Sequence, residues 1–201
     1  PWSLKVEVLS RSAHEACRVT KANCKNDLLT AIADPFLPGK TLKEALEAYA
    51  VMGIEKSTFL EIPATMVSDE PVHSLNGRIS SVMQDFEPNI VFCPFPDRHI
   101  DHRIIFESTL VATRPVNYGK KIEMVAAYET LSETHWNAPY IEPNFTQNLI
   151  VDISEYLETK INALSCFKSQ ISKMEKFNNT SLITEWEVDK YKYPTILLTV
   201  L

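Results

Sequence analysis

The sequence predicts an α/β fold with a mostly parallel β-sheet and helices on both faces of that sheet. Strand-like and helix-like segments alternate along the chain, and this order produces parallel strands joined by helices. The stretch over residues 90–95 is apolar almost throughout, as expected for a central parallel strand. A polar turn follows this stretch directly, and open α/β sheets place their chemistry at such turns.

The first half of the chain contains two predicted strands and two predicted helices. Residues 4–9 alternate polar and apolar side chains, which is typical of a half-buried strand. A helix is predicted from Thr41 onward, since apolar residues recur on one helical face, and Gly53 stands where a helix C-cap is expected. A strand over residues 58–62 and a second amphipathic helix over residues 75–86 follow, and a proline ends each of them.

The second half continues the same alternation up to a long helix. In chain order the pattern predicts a strand over residues 90–95, a buried helix over 104–113, strands over 122–128 and 149–151, and a helix over 154–176. Residues 10–40 and 178–201 carry no pattern that assigns them to a helix or a strand. There is no internal repeat or linker, so we expect a single domain over residues 1–201.

The composition argues against several classes of partner. The net charge of −6 and the pI near 5.4 disfavour a surface for nucleic acid or anionic membrane. No apolar run approaches the ~20 residues that span a bilayer, and no leader-like segment is present. The four cysteines are scattered without C-x-x-C spacing, so we expect reduced thiols and a cytoplasmic location.

The scarcity of glycine excludes the common nucleotide-binding loops. The chain has only 4 glycines, and neither G-x-G-x-x-G nor G-K-[ST] occurs. Cofactor binding by those loops is therefore excluded, and a S-adenosylmethionine-dependent methyltransferase, which has the same order of elements, is disfavoured by the same absence.

The segment over residues 94–103 places two histidines and two acids within six residues of one another. Imidazole nitrogens and carboxylate oxygens are natural ligands of a catalytic zinc ion. His102, at the predicted start of a helix, suits a metal ligand, and His99 could stabilise a developing oxyanion. Asp101 could orient one of the histidines through its second ring nitrogen. In the simpler alternative, Asp97, His99 and Asp101 only cap a helix and bind water; for the spacing His-x-Asp-His we favour the functional interpretation.

These residues resemble the second signature of the LmbE/PIG-L-like zinc deacetylases, which runs roughly P-x-x-D-x-H-x-D-H. The helix over residues 42–54 is similar to the one before the family's third strand. Residues 128–136 resemble the Y-E-x-x-S-x-T-x-W segment of sugar-deacetylating bacterial members, and residues 151–170 resemble the helix that follows. The resemblance covers roughly residues 40–172, and its most specific part is D-x-H-x-D-H.

The resemblance implies a Rossmann-like fold, a Zn²⁺ cofactor and hydrolysis of the N-acetyl group of an amino sugar or sugar conjugate. By position, His102 would be the zinc ligand, His99 the residue that stabilises the oxyanion, and Asp101 its neighbour in the catalytic motif. Trp136 could stack on a sugar ring, although a partly buried loop aromatic is an equal alternative. The expected partner is the small-molecule substrate, with no nucleic acid and no membrane span; the oligomeric state, a homo-oligomer included, stays open.

The sequence departs from the family at its first signature, A-H-P-D-D-E, which supplies two further zinc ligands and the general base. The nearest pair is His14-Glu15, which lacks the proline and both aspartates. His73 and His135 fit surface or loop positions better than ligand positions. Either the chain lacks the N-terminal strand and first signature, with residues 4–9 as the family's second strand, or it is a relative that has lost the signature. A non-catalytic carbohydrate-binding or scaffold domain is therefore the alternative function.

Overall fold

The computed structural model describes residues 6–10, 27–34, 40–54, 56–63, 65–130, 133–138, 140–169 and 195–201. The strands are β1 (Val6–Ser10), β2 (Asp27–Asp34), β3 (Lys56–Pro63), β4 (Ile90–Pro94), β5 (Met124–Tyr128), β6 (Leu149–Asp152) and β7 (Thr195–Val200). The helices are α1 (Lys40–Met52), α2 (Val72–Phe86), α3 (Ile100–Ala112) and α4 (Leu157–Ser165), with short 3₁₀ helices at Val67–Asp69, Asn117–Lys121, Thr134–Trp136 and Ser154–Tyr156. The prediction of an α/β fold is confirmed.

Within the described residues, seven strands form one sheet in the order β3-β2-β1-β4-β5-β7-β6. The strands from β3 to β5 pair in parallel, whereas β7 runs antiparallel to both of its neighbours. Val8 in β1 is in register with Leu29 of β2 on one side and with Phe92 of β4 on the other. The strand order therefore reverses between β1 and β4, and the carboxyl ends of strands at such a switch point form the usual ligand crevice.

Two apolar clusters cover the two faces of the sheet. Helices α1 and α4 pack over one face, around Tyr49, Tyr128 and Phe167. Helices α2 and α3 pack over the other face, where Leu75 and Ile105 are fully buried. Successive residues of a strand point to opposite faces, so β5 contributes to both clusters. The predicted placement of helices on both faces is confirmed.

The end of α1 shows how a local signal fixes a boundary. Gly53 has a φ of 73°, a left-handed conformation that costs glycine little. Its N–H donates to the Ala50 carbonyl, and the N–H of Ile54 donates to the Tyr49 carbonyl. This pair of hydrogen bonds is the Schellman arrangement, so the predicted C-cap at Gly53 is confirmed.

Several predicted boundaries are wrong. Helix α3 begins at Ile100 and not at residue 104, because His99 caps it. Helix α4 ends at Ser165, well short of residue 176, and residues 170–194 lie outside the described part of the chain. Strands β2 and β7 fall in segments that the sequence pattern left unassigned. Among the described residues, no helix combines the length and the apolar character that crossing a membrane requires.

Candidate metal and catalytic site

The candidate site is a turn between β4 and α3 at the carboxyl edge of the parallel strands; we call residues 95–103, which include the first turn of α3, the β4 turn. Phe95 continues the ladder for one more hydrogen bond, from its N–H to the Tyr128 carbonyl of β5 at 2.9 Å. The Phe95 ring is buried and makes an edge-to-face contact with Phe145, with centroids 5.2 Å apart. The turn is thus anchored to the sheet on one side of the switch point.

Asp97 is the centre of this turn, and its side chain is completely buried. Its Oδ1 accepts the backbone N–H of His99 at 2.9 Å and the Nδ1–H of His102 at 2.8 Å. Its Oδ2 accepts the Thr134 hydroxyl at 3.0 Å. A buried carboxylate is costly unless its oxygens are hydrogen-bonded, and here donors from three residues meet that requirement.

The hydrogen bonds define which ring nitrogen of each histidine carries the proton. A carboxylate only accepts, so His102 donates from Nδ1 to Asp97, and in the neutral ring Nε2 keeps the lone pair. The N–H of Asp101 donates to His99 Nδ1 at 3.2 Å, so neutral His99 carries its proton on Nε2. The two rings stack, with centroids 4.8 Å apart and planes inclined by 28°. A nitrogen that can bind a metal and an N–H donor therefore lie side by side.

Asp101 was expected to orient a histidine ring with its carboxylate, and the structure gives that carboxylate a different contact. It is Asp97, not Asp101, that holds a histidine ring nitrogen, since Asp101 Oδ2 lies 4.0 Å from His99 Nδ1. That same Oδ2 accepts the Thr65 N–H at 2.8 Å. Asp101 is fully buried and ties the start of α3 to the segment after β3. The backbone N–H of Asp101 donates to His99 Nδ1, so the histidine side chain, and not an aspartate, caps the start of α3.

A second contact layer comes from the chain after β5; residues 133–138 and 140–142 are called the β5 loop. Arg103 donates to the Asp97 backbone carbonyl and to Glu142 Oε1. The second oxygen of Glu142 accepts the Ala138 N–H at 3.2 Å. The Arg103 guanidinium, and after it the Ala138 N–H, lower the pKa of Glu142. The loop is thereby fastened to the β4 turn at its backbone as well as through Thr134.

Trp136 lies on the β5 loop and is 64% exposed. The Arg98 guanidinium lies 5.8 Å from the centre of its ring, and Arg98 also forms an ion pair with Glu133 at 3.1 Å. The Trp136 indole is exposed, and the cation near its face belongs to Arg98, the residue before His99. A sugar ring can stack on such a surface. The structure places Trp136 outside the core, beside the β4 turn.

The other candidate ligands contribute little to the site. His73 is exposed on α2, and exposed His135 pairs with Glu129 at 2.8 Å. Burial raises the pKa of the Cys93 thiol to about 12, so this neighbour of the turn stays protonated. The pair His14-Glu15 lies outside the described residues. Among the residues that the structure describes, no group of three or more His, Cys, Asp and Glu side chains could hold a metal ion.

Three contributors to the site were missed by the sequence analysis. Asp97 was considered only as a helix cap, although its place five residues before His102 within the motif is a usable signal. Arg103 adjoins the motif but had no assigned partner. Thr134 is the threonine of the Y-E-x-x-S-x-T-x-W resemblance but had no assigned role, and it lies 37 residues from Asp97 in sequence.

A family model described as PIG-L, GlcNAc-PI de-N-acetylase, matches residues 16–113. The matched part includes the whole β4 turn and helix α3. Residues 16–113 of the chain are therefore similar to a PIG-L (LmbE-like) domain. The resemblance inferred from residues 94–103 is confirmed, whereas the resemblance of residues 128–136 lies beyond the matched range.

Solved structures with a similar fold include two deacetylases and a hydratase. N,N'-diacetylchitobiose deacetylase from Pyrococcus horikoshii is 17% identical, with 98% of this chain and 83% of that chain covered and a TM-score of 0.65. The zinc inhibited form of teicoplanin deacetylase Orf2 is 14% identical, with 98% of each covered and a TM-score of 0.65. GalB, the 4-carboxy-2-hydroxymuconate hydratase from Pseudomonas putida KT2440, is 12% identical, with 98% and 96% covered and a TM-score of 0.65. At these identities the likeness shows the fold alone.

Proposed function

We propose that the chain is a zinc-dependent hydrolase that removes the N-acetyl group from an amino sugar or a sugar conjugate. The observation that carries the proposal is the buried Asp97–His102 hydrogen bond, 2.8 Å long, at the carboxyl edge of a PIG-L domain. The fold likeness to a chitobiose deacetylase supports this choice of substrate class.

The turn provides one suitable zinc ligand, His102. The lone pair of His102 is on Nε2, and a carboxylate on the other ring nitrogen is the usual support of a zinc-binding histidine. The proposal requires further ligands from the rest of the chain, because a catalytic zinc typically takes three from the protein. Bound zinc would polarise the acetyl carbonyl and make water nucleophilic near neutral pH.

The proposal also assigns roles in the reaction to His99, Asp101 and Trp136. Hydrolysis adds water across the amide, breaks the C–N bond, and leaves acetate and a protonated amine. His99, with its proton on Nε2, would donate a hydrogen bond to the oxygen on which negative charge develops. The Asp101 N–H keeps His99 in that tautomer. Trp136 would stack on the sugar and place its acetyl group toward the two histidines.

The test is release of acetate by the zinc-loaded full chain from N-acetylglucosamine and N,N'-diacetylchitobiose. The proposal expects acetate and free amine in equal amounts, and no release from the His102→Ala variant. Zinc binding without acetate release from either sugar would contradict it. The hydratase among the similar structures shows that the fold alone does not decide the reaction, so the product must be measured directly.

A non-catalytic carbohydrate-binding relative is the second candidate, and the strand order favours it. Strand β1 lies beside β4 at the switch point, which is where the first strand of such a domain belongs. In the resemblance, the signature A-H-P-D-D-E follows that strand, yet the chain after Ser10 reads Arg11-Ser12-Ala13-His14-Glu15-Ala16. Sugar binding that survives His102→Ala unchanged, without acetate release, would support this candidate.

Three broader assignments belong to the same proposal. We propose a Rossmann-like sheet, supported by the parallel order β3-β2-β1-β4-β5, and a single domain over residues 1–201. The cytoplasmic location is supported only by the scattered cysteines, of which Cys93 and Cys166 are free thiols in the described part of the chain.

A further inference from the structure

Thr134 is connected to His102 through the carboxylate of Asp97. Its hydroxyl is 3.0 Å from Asp97 Oδ2, and Asp97 Oδ1 is 2.8 Å from His102 Nδ1. Thr134 is 3% exposed and the other two residues are fully buried. We propose that Thr134 is a positioning residue that sets the orientation and tautomer of His102 through Asp97. The part of this inference that concerns metal binding rests on the proposed function, and the part that concerns the tautomer does not.

The direction of each hydrogen bond in this relay is determined. The backbone N–H of Thr130 donates to Thr134 Oγ1 at 2.7 Å, so that oxygen is already an acceptor. Its single proton then goes to Asp97 Oδ2, because a carboxylate can only accept. The relay runs from the Thr130 N–H through the Thr134 hydroxyl to Asp97, and His102 donates to the other oxygen of the same carboxylate.

Thr134 is the contact that holds the second oxygen of Asp97. Oδ1 receives two donors, the His99 N–H and the His102 Nδ1–H, whereas Thr134 donates to Oδ2. With donors on both oxygens the plane of the carboxylate is fixed. Without the hydroxyl, the carboxylate can rotate while it still accepts the His99 N–H, and its hold on the His102 ring weakens. Outer partners of metal-binding histidines typically affect metal affinity 10- to 100-fold.

The chain offers variants that separate this positioning from general packing. Thr134→Val removes the hydroxyl at nearly constant volume, and Thr134→Ser keeps it. Thr109→Val is the matched control, since buried Thr109 lies on the same helix as His102 and its hydroxyl donates to the Ile105 carbonyl at 2.7 Å. If Thr134→Val does not fold, Thr134→Ala carries the same test without placing a methyl group against the carboxylate.

The first readout is the ¹⁵N NMR spectrum of the His102 imidazole in the metal-free full chain. The wild type is expected to show a protonated Nδ1 and an unprotonated Nε2, and Thr134→Ser and Thr109→Val the same. Thr134→Val is expected to show a mixture of tautomers. The second readout is zinc affinity by competition with a chromophoric chelator, expected to weaken about 10- to 100-fold in Thr134→Val and to stay within about threefold in the two other variants.

An unchanged His102 tautomer in folded Thr134→Val or Thr134→Ala overturns the inference, as does equal weakening of zinc affinity in Thr109→Val. If the wild type binds no zinc but loses its single tautomer in Thr134→Val, the positioning role stands and the proposed function falls. If the variants that lose the single His102 tautomer are also the ones that bind zinc more weakly, both the positioning role of Thr134 and the proposed function are supported.

Discussion

The β4 turn and the β5 loop meet at Asp97, yet they are built in different ways. The turn closes on itself through neighbours, as when His99 and His102 donate to Asp97 from two and five residues away. The loop reaches the turn over 37 residues at Thr134 and over 39 residues at the ion pair of Arg103 with Glu142. In the proposed site, the turn supplies the two histidines, and the loop supplies Thr134, which donates to the carboxylate of Asp97. This division can be tested by changing each side separately.

The largest effect on turnover is expected from the turn, at His99. His99→Ala removes the Nε2–H that would stabilise the developing oxyanion, so kcat for acetate release should fall by about 10²- to 10³-fold. Zinc stoichiometry should not change, because the lone pair proposed to bind zinc is on His102. The control is His135→Ala, a histidine of the β5 loop that pairs with Glu129. A His99→Ala enzyme that retains full turnover would show that the turn does not provide the oxyanion donor.

The next effect is expected where turn and loop meet. Asp97→Ala leaves buried donors of His99, His102 and Thr134 without their acceptor. Zinc affinity should fall about 100-fold, and the free energy of unfolding by about 3 kcal/mol, as measured by chelator competition and urea titration.

Asp152→Ala provides the control for Asp97. Asp152 also accepts a backbone N–H two residues ahead, from Ser154 at 2.9 Å, but it is exposed. Its loss should destabilise the fold much less than the loss of Asp97 and leave zinc affinity unchanged. Equal effects of the two substitutions on zinc would show that Asp97 does no more than shape a turn.

A smaller effect is expected on the exposed side of the loop. Trp136→Ala removes the proposed stacking surface, so KM for a sugar substrate should rise about 2- to 10-fold while kcat changes little. Trp136→Phe should restore most of the affinity. Tyr140, which is 98% exposed, gives the comparison: Tyr140→Ala should leave KM unchanged. An unchanged KM in Trp136→Ala contradicts a stacking role.

The smallest effect concerns the ion pair that fastens the loop. Arg103 lowers the pKa of Glu142 in the folded chain. The stability that this carboxylate adds is therefore present above the unfolded pKa of about 4.3 and is lost as pH falls through the lowered folded pKa. The difference in unfolding free energy between wild type and Glu142→Gln should shrink below about pH 4. In an Arg103→Gln background, Glu142→Gln should change the pH dependence less, because only the Ala138 N–H then lowers the pKa of Glu142; the same pH slope in both backgrounds would exclude the pair as its cause.

The same division explains what the sequence could and could not predict. The β4 turn was identified because its signals are local: an apolar strand, a turn, and His99 and His102 three residues apart. The sequence offered Asp101, next to His102, as the acid that orients a histidine, whereas the structure gives that contact to Asp97, five residues before His102. Only the path of the backbone selects between the two acids. The contact of Thr134 with Asp97 could not be predicted, because it depends on where the β5 loop crosses the turn.

The fold was predicted where packing and pattern agree. Helix α1 carries its own end signal at Gly53, and β4 is apolar on both faces. Strand β7 was missed because it pairs antiparallel to β5 and β6 across the chain, which the repeated strand-helix order does not suggest. Helix α4 was overestimated because its apolar spacing continues past Ser165, where the helix ends.

The most direct test of the site is the zinc content of the intact chain after zinc loading and dialysis, measured by elemental analysis for the wild type and for His102→Ala. The wild type should retain one zinc ion per chain, and His102→Ala should retain none while it stays folded. A wild type without stoichiometric zinc, or a His102→Ala variant that keeps its full share, would contradict the assignment of the β4 turn as a metal-binding site.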